Sequence, residues 1–209
     1  YVEKGCDIVY IGISSEMSGT VQNARMAARE YPQATIRCVD SRSLSTGIGL
    51  QVLMACDLAA EGKSANEIAD TLECKTERVR ASFVVDQMSF LYYGGRCSAV
   101  QAFGASLLNL RPQISVKDGR MYPTGKYRGN ITRVARIYAE HALHDISRIV
   151  PKRVFITYSQ DTDAAVVQAV RDVVTSKKYF EQILETEAGC VVTSHCGRNC
   201  IGVLFMEKE

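Results

Sequence analysis

The sequence lacks the features that mark several large classes of protein. Its 209 residues carry 25 basic and 23 acidic side chains, a net charge of +2, so composition gives no case for a nucleic-acid-binding protein. No apolar run approaches the roughly 18 residues that a membrane-spanning helix needs. The opening residues Tyr1 to Gly5 lack the basic flank and apolar stretch of a signal peptide. We therefore expect a globular, cytoplasmic protein.

Signatures of common cofactor and metal sites are missing as well. Gly47-Ile48-Gly49 lacks the third glycine of a dinucleotide-binding loop and falls inside a predicted helix, and the sequence contains no P-loop. His195 lies near Cys190, Cys196 and Cys200, but this group contains no CxxC pair and no HxxxH pair. We therefore expect neither a metal nor another cofactor. We also expect the cysteines, most of them scattered through apolar or mixed segments, to be reduced thiols.

The first part of the chain has the pattern of an α/β domain with a mostly parallel sheet. Apolar runs and helical periodicity alternate in the order strand, helix, strand, helix, helix, strand, with limits near 6–14, 18–29, 34–39, 46–61, 64–72 and 79–85. Ser64 and Glu67 have the spacing of a capping box at the start of the third helix. We place the first domain at residues 1–90.

The remainder of the chain predicts a smaller α+β domain. Asp118-Gly119 is a strong two-residue hairpin signal between short strands. Around this hairpin the pattern predicts helices at 98–108, 130–149 and 161–176, and strands at 153–158, 179–186 and 200–206. We assign residues 91–186 to this second domain and expect residues 187–209 to return to the first.

The loop Ser14–Thr20, with the sequence SSEMSGT, is the most informative segment. It lies between a predicted strand and a predicted helix, where hydroxyl groups and backbone N–H groups suit an anion such as a carboxylate or a phosphate. Ser15 or Ser18 could instead simply cap the helix. A nucleophilic serine is a third interpretation, but a nucleophile elbow needs Gly-x-Ser-x-Gly, and Glu16 stands at the last of these positions.

Two further groups are candidates for contacts with a ligand or a partner. His195 falls in a predicted loop among small residues, where it could reach a ligand anion or could be structural. Lys126, Arg128 and Arg133 form a basic cluster after the hairpin. Such a cluster is commonly just a solvated surface, but it could also hold a phosphate, an acidic partner or a lipid head group.

Several segments in order resemble one family, the DegV fatty-acid-binding proteins. They are SSEMSGT at 14–20, VDSRSLSTGIG at 39–49, the strand into YYGGRCS at 92–98, LLNLRPQISVKDGRMYPTGKYRG at 107–129, and AGCVVTSHCG at 188–197. The resemblance covers nearly all of the chain. It implies a DegV-like two-domain α/β fold in which a long-chain fatty acid lies between the domains.

The resemblance also implies how the ligand is held. Ser15 would grip the carboxylate, helped by the nearby Ser14, Ser18, Gly19 and Thr20, and His195 would approach it. We expect the acyl chain to occupy an apolar tunnel, because each buried CH₂ contributes about 0.8 kcal/mol. The candidate tunnel residues are Phe83, Phe90, Leu91, Phe103, Leu107 and Leu108.

Some members of the family present their fatty acid to a separate fatty acid kinase, which makes an acyl phosphate for phospholipid synthesis. We therefore expect a lipid-binding protein that is not itself an enzyme, with a fatty acid kinase as partner, transient contact with a membrane surface, and no nucleic acid. The main alternative is a serine hydrolase that acts on a lipid-like ester through Ser15 and His195. A second alternative is a regulatory or interaction module that carries no lipid.

Two departures from the family pattern accompany this resemblance. The family has a longer N-terminal segment with a first strand and a Thr-Ser-Gln-Pro-type loop, whose threonine shares the carboxylate with the serine. We expect half of the head-group site to lie in that segment, which either precedes this chain in a longer protein or exists elsewhere. The closing loop here is rich in cysteine, at Cys190, Cys196 and Cys200, where the family tends to have Pro, Thr and Gly.

Overall fold

The structure is a computed structural model that describes residues 1–97 and 110–209. Its strands are β1 (Ile8–Gly12), β2 (Ile36–Asp40), β3 (Val79–Val84), β4 (Leu110–Lys117), β5 (Arg120–Arg128), β6 (Ile149–Tyr158), β7 (Gln182–Glu187) and β8 (Ile201–Glu207). Its α-helices are α1 (Thr20–Ala28), α2 (Thr46–Ala60), α3 (Ala65–Lys75), α4 (Met88–Gly94), α5 (Ile131–Ala142), α6 (Ala164–Ser176) and α7 (Cys190–Cys196). The α/β class predicted from the sequence is confirmed.

The described chain divides into two compact units. The N-terminal unit comprises Tyr1–Val79 and the hairpin tip Asp118–Arg120, and the C-terminal unit comprises Arg80–Lys117 and Met121–Glu209. The last strand, β8, belongs to the sheet of the C-terminal unit, between β3 and β6. The domain limits 1–90, 91–186 and 187–209 stay a prediction from the sequence.

In the N-terminal unit, β1 and β2 form a parallel pair, with Ile8 opposite Ile36 and Gly12 opposite Asp40. One face of this pair packs on α2 and α3 through a core of Val39, Ile68, Ala69 and Leu72. Helix α3 begins with the capping box predicted from the sequence, formed by Ser64 and Glu67. Apolar helix faces on a short parallel sheet are the expected packing of an α/β unit.

The C-terminal unit contains a six-stranded sheet in the order β5-β4-β3-β8-β6-β7. Strand β6 pairs parallel with β7 and antiparallel with β8, so the sheet is mixed. Helices α5 and α6 pack against it, and Tyr138 of α5 is fully buried. The Tyr138 hydroxyl donates to the carbonyl of Ser82 at 2.6 Å and accepts from the N–H of Val203 at 2.9 Å. One side chain therefore links the helix to two strands.

The predicted hairpin is present. Strands β4 and β5 are adjacent, and Asp118 and Gly119 between them have φ angles of 51° and 77°. Positive φ at both central positions is the geometry for which Asp-Gly is preferred in two-residue turns. The helix predicted at 98–108 lies outside the described residues.

Two local predictions differ from the structure. The long helix predicted over 130–149 ends at Ala142, because Leu143 leaves helical geometry with φ −106° and becomes fully buried. The strand predicted at 79–85, before the YYGGRCS motif, is present as β3, and helix α4 follows it. Residues 190–196, predicted as a loop, form helix α7, which ends where Gly197 takes a φ of 73°.

Candidate functional site

The predicted ligand loop follows β1 at the carboxyl edge of the parallel pair. Because Gly12 lies opposite Asp40, the segments that follow β1 and β2 leave the sheet side by side. The backbone N–H of Ser14 donates to the carbonyl of Ser43 at 2.9 Å, which ties the two loops together. This edge is where open α/β sheets bind ligands.

Ser14 is a buried part of the loop's framework. Its side chain is fully buried, and its hydroxyl donates to the carbonyl of Gly119 at 2.7 Å, within the same unit. The same oxygen accepts the backbone N–H of Glu16 at 3.3 Å. Since its one proton and one of its lone pairs are already used, Ser14 is better placed to shape the loop than to contact a ligand.

Ser15, by contrast, is exposed and faces Asp40. Its backbone N–H lies 3.3 Å from both carboxylate oxygens of Asp40, and its hydroxyl donates to one of them at 2.5 Å. Asp40 also accepts the N–H of Arg42 at 2.9 Å. Asp40 was not among the residues predicted to form the site, although its position in the motif VDSRSLSTGIG was a signal that could have identified it.

Ser18, Gly19 and Thr20 form the start of α1. The hydroxyls of Ser18 and Thr20 are 2.6 Å apart, and the Ser18 hydroxyl accepts the N–H of Thr20 at 3.3 Å. Gly19 is the N-cap residue and is exposed, so no side chain at this position covers the helix N-terminus. Hydroxyls beside an open helix N-terminus suit the binding of an anionic or polar group.

A buried polar network lies behind the loop. The Gln51 side chain, on the mostly apolar helix α2, donates to the carbonyl of Ser41 at 2.9 Å. The Ser41 hydroxyl donates to the carbonyl of Ser43 at 3.3 Å. The Ser43 hydroxyl and the Gln51 carbonyl oxygen are buried without a hydrogen-bond partner in the described chain. The network fixes the backbone of the 41–43 loop, to which Ser14 is bonded.

His195 belongs to the C-terminal unit, in the last turn of α7. It is half-buried and packs against α4, where a Cβ atom added to Gly94 would collide with its Nδ1 atom. A Cβ on Gly197 would likewise collide with the ring of Phe90. Two glycines thus allow the close approach of α4 and α7, which places His195 on a packed helix rather than on the loop predicted from the sequence.

The cysteines around His195 are free thiols in the structure. Cys196 and Cys200 are buried, whereas Cys190 is exposed. A hydrogen bond with Cys196, together with burial, raises the pKa of the Cys200 thiol well above its ordinary value. Such a thiol stays protonated at neutral pH and is a poor nucleophile. Within residues 1–97 and 110–209, no group of three or more His, Cys, Asp or Glu residues is arranged to hold a metal ion.

The predicted basic cluster lies on the surface of the C-terminal unit. Lys126 and Arg128 alternate with Tyr127 along β5 and share one face of the strand, and Arg133 is in the first turns of α5. All three basic side chains are exposed. They remain candidates for contact with a partner or a phosphate.

The predicted tunnel residues are only partly described. Phe83 and Leu91 are buried, and Phe90 is 38% exposed. Phe103, Leu107 and Leu108 lie outside the described residues.

A separate apolar cavity of about 490 Å³ in the N-terminal unit lies between α1 and the sheet, next to Ile8 and Tyr10. The described helices include none with the length and apolar character needed to cross a bilayer.

Comparison with known proteins places these features in a family. The model of the family described as "uncharacterised protein, DegV family" matches residues 1–208. A DegV domain-containing protein of Deinococcus radiodurans is 34% identical over 204 residues, which are 97% of this chain and 70% of that protein.

Solved structures give the same result for the fold. A DegV family protein from Thermus thermophilus, described for its fatty acid binding, is 33% identical with a TM-score of 0.84, over 99% of this chain and 73% of that one. DegV from Bacillus subtilis, described as a fatty acid binding protein, is 27% identical with a TM-score of 0.83, over 99% and 73% of the two chains. The resemblance inferred from the motifs is thus confirmed, and this chain belongs to the DegV family.

Proposed function

We propose that this protein binds a long-chain fatty acid, with the head group at Ser15 in the 14–20 loop. The observation that carries the proposal is the similarity over nearly the whole chain to a Thermus thermophilus protein described for fatty acid binding. The geometry of the loop supports it: Ser15 is exposed at the carboxyl edge of a parallel sheet, in the loop that leads to the open N-terminus of α1. His195 is the second residue that we assign to the head group.

The acyl chain supplies most of the affinity in this proposal, because each buried CH₂ contributes about 0.8 kcal/mol. The loop then selects the head group and its orientation. Mass spectrometry of lipid extracted from the denatured protein after mild purification tests the proposal directly. We expect a fatty acid in near-stoichiometric amount, and protein that neither carries nor takes up a fatty acid would contradict the proposal.

We further propose that the protein is a carrier without catalytic activity, which presents its fatty acid to a fatty acid kinase in the cytoplasm and meets a membrane surface transiently. The support is the family resemblance, together with the exposed basic side chains Lys126, Arg128 and Arg133. Phosphorylation of the bound acid by an added fatty acid kinase, compared with phosphorylation of free fatty acid, tests the presentation step.

The hydrolase alternative is less well supported by the loop. A serine nucleophile needs a general base that can take its proton, and the usual base is an imidazole. The Ser15 hydroxyl instead donates to the carboxylate of Asp40. Turnover of a short-chain ester that is abolished by Ser15→Ala would restore the hydrolase interpretation.

A further inference from the structure

The direction of one hydrogen bond limits what the Ser15 hydroxyl can offer to a ligand. An ionised carboxylate accepts hydrogen bonds and cannot donate them. In the contact between Ser15 and Asp40, the serine must therefore be the donor. A serine hydroxyl carries one proton, so once this proton is directed to Asp40 only the lone pairs of the oxygen remain for another group.

The Asp40 carboxylate is held firmly in this role. Oδ1 accepts the Arg42 N–H at 2.9 Å, and Oδ2 accepts the Ser15 hydroxyl at 2.5 Å. The Ser15 N–H lies 3.3 Å from each oxygen. Three donors from two loops thus fix the position of the carboxylate, so the Ser15 hydroxyl is not free to rotate toward a ligand without giving up a charge-assisted bond.

A ligand carboxylate at Ser15 would also meet the negative charge of Asp40. Glu16, in the same loop, is already paired with Arg120, whose Nε lies 2.8 Å from the Glu16 carboxylate. A second carboxylate at Ser15 would stand close to Asp40, and two carboxylates that share a site are not both readily ionised. A head group that brings its own proton avoids this repulsion.

We propose that Asp40, by accepting the Ser15 hydroxyl proton in a hydrogen bond, leaves this hydroxyl only as an acceptor toward the ligand. Ser15 then binds a head group that donates a hydrogen bond, which for a fatty acid is the protonated carboxylic acid. Asp40 is then a specificity-determining residue that acts through Ser15. This inference rests on the proposed fatty-acid-binding function and adds the chemical form of the head group.

Three ligands with the same acyl chain and different head groups test the inference. Palmitic acid can be protonated, palmitamide is a neutral donor, and methyl palmitate can only accept. We expect wild-type protein to bind palmitamide roughly tenfold or more tightly than methyl palmitate, the effect of one hydrogen bond. Ser15→Ala, which removes the acceptor, should bring this ratio of dissociation constants close to one. Equal binding of the two ligands by wild-type protein would overturn the proposal.

Asp40→Asn reverses the direction of the hydrogen bond between residue 40 and the Ser15 hydroxyl, with little change in the shape of the side chain. The asparagine Oδ1 can still accept the N–H groups of Ser15 and Arg42, while its Nδ2 donates to the Ser15 hydroxyl and frees the hydroxyl proton for the ligand. We expect the preference for palmitamide over methyl palmitate to fall by roughly tenfold. The matched control is Asp145→Asn, since Asp145 also accepts a serine hydroxyl, that of Ser147 at 2.6 Å, but belongs to the C-terminal unit.

The outcomes separate this inference from the proposed function. Wild-type protein that binds palmitic acid but shows a preference unchanged in Asp40→Asn would overturn the inference alone. Protein that binds none of the three ligands would overturn both. Should Asp40→Asn fail to fold, the comparison of wild type with Ser15→Ala still decides the question, because Ser15 is exposed and its truncation leaves the buried framework intact.

Discussion

At the residue scale, two adjacent serines have opposite surroundings, one buried and one exposed. We expect their substitution by alanine to have opposite consequences, one mainly for stability and the other mainly for ligand binding. Ser14→Ala leaves the buried carbonyl of Gly119 and the N–H of Glu16 without their partner, which should cost about 1–3 kcal/mol of stability. Ser15→Ala truncates an exposed side chain and should change stability much less, while weakening fatty acid binding roughly tenfold or more. Urea denaturation and ligand titration of both variants measure the two effects.

The comparison of the two variants is its own control, because each substitution removes one hydroxyl from the same loop. If Ser15→Ala loses stability and Ser14→Ala does not, the roles that we assign to the two serines are wrong. If Ser15→Ala folds normally and binds fatty acid with unchanged affinity, the head group does not contact Ser15.

At the scale of single elements, the N-terminus of α3 makes a prediction about acid stability. Hydrogen bonds from Ser64, first its backbone N–H and then its hydroxyl, lower the pKa of Glu67 from 4.5 to about 2, and Lys63 adds to the effect. Because the folded-state pKa is depressed, this stabilisation is present above about pH 4.5 and is lost as the pH falls toward about 2. The stability difference between wild type and Glu67→Gln, measured in urea, should therefore be largest near neutral pH and vanish near pH 2.

The exposed residue Glu30 provides the control for that measurement, because Glu30→Gln removes a carboxylate outside the capping box. A difference between wild type and Glu67→Gln that stays constant down to about pH 2 would show that the capping box does not set the titration of Glu67.

Packing between α4 and α7 makes a second prediction at this scale. A Cβ atom at Gly94 would collide with the His195 ring, so Gly94→Ala should displace that ring and lower the thermal stability. Adding His195→Ala should restore part of the lost stability, since it removes the colliding group. Thermal unfolding of the two single variants and the double variant measures the coupling, and strictly additive effects would mean that the two positions are not in contact.

At the scale of the whole molecule, we expect the basic cluster to affect phosphorylation of the bound fatty acid and not binding of the fatty acid. Arg128→Glu should reduce phosphorylation of the bound fatty acid by a fatty acid kinase and leave binding of the acid unchanged. Because Lys126, Arg128 and Arg133 are exposed, the effect should shrink as salt is raised. Kinase assays and ligand titrations at low and high ionic strength measure both quantities.

Lys177→Glu is the matched control, an exposed basic residue reversed elsewhere in the C-terminal unit. Equal effects of the two substitutions would point to net charge rather than to the cluster. Loss of fatty acid binding together with phosphorylation in Arg128→Glu would mean that Arg128 supports the ligand site itself.

Much of this protein was determined by short-range patterns in the sequence. The Ser64–Glu67 capping box, the Asp118-Gly119 turn and the limits of α2 follow from the chemistry of neighbouring residues, and the structure has them where they were predicted. The ordered motifs from 14–20 to 188–197 were likewise enough to identify the family. The helical conformation of residues 190–196 was not predictable in this way, because α7 is a short helix whose packing on α4 depends on Gly94, about 100 positions earlier in the chain.

Tertiary structure alone decided which polar groups meet. Ser15 and Asp40 are 25 positions apart, and Ser14 and Gly119 are 105 apart, so no local spacing relates either pair. Ser15 and Asp40 come together because β1 and β2 pair in parallel with Gly12 opposite Asp40, which brings the ends of both strands to one edge. The sequence by itself therefore determined the family and pointed to the 14–20 loop, whereas the strand register decided that Asp40 accepts the hydrogen bond of the Ser15 hydroxyl.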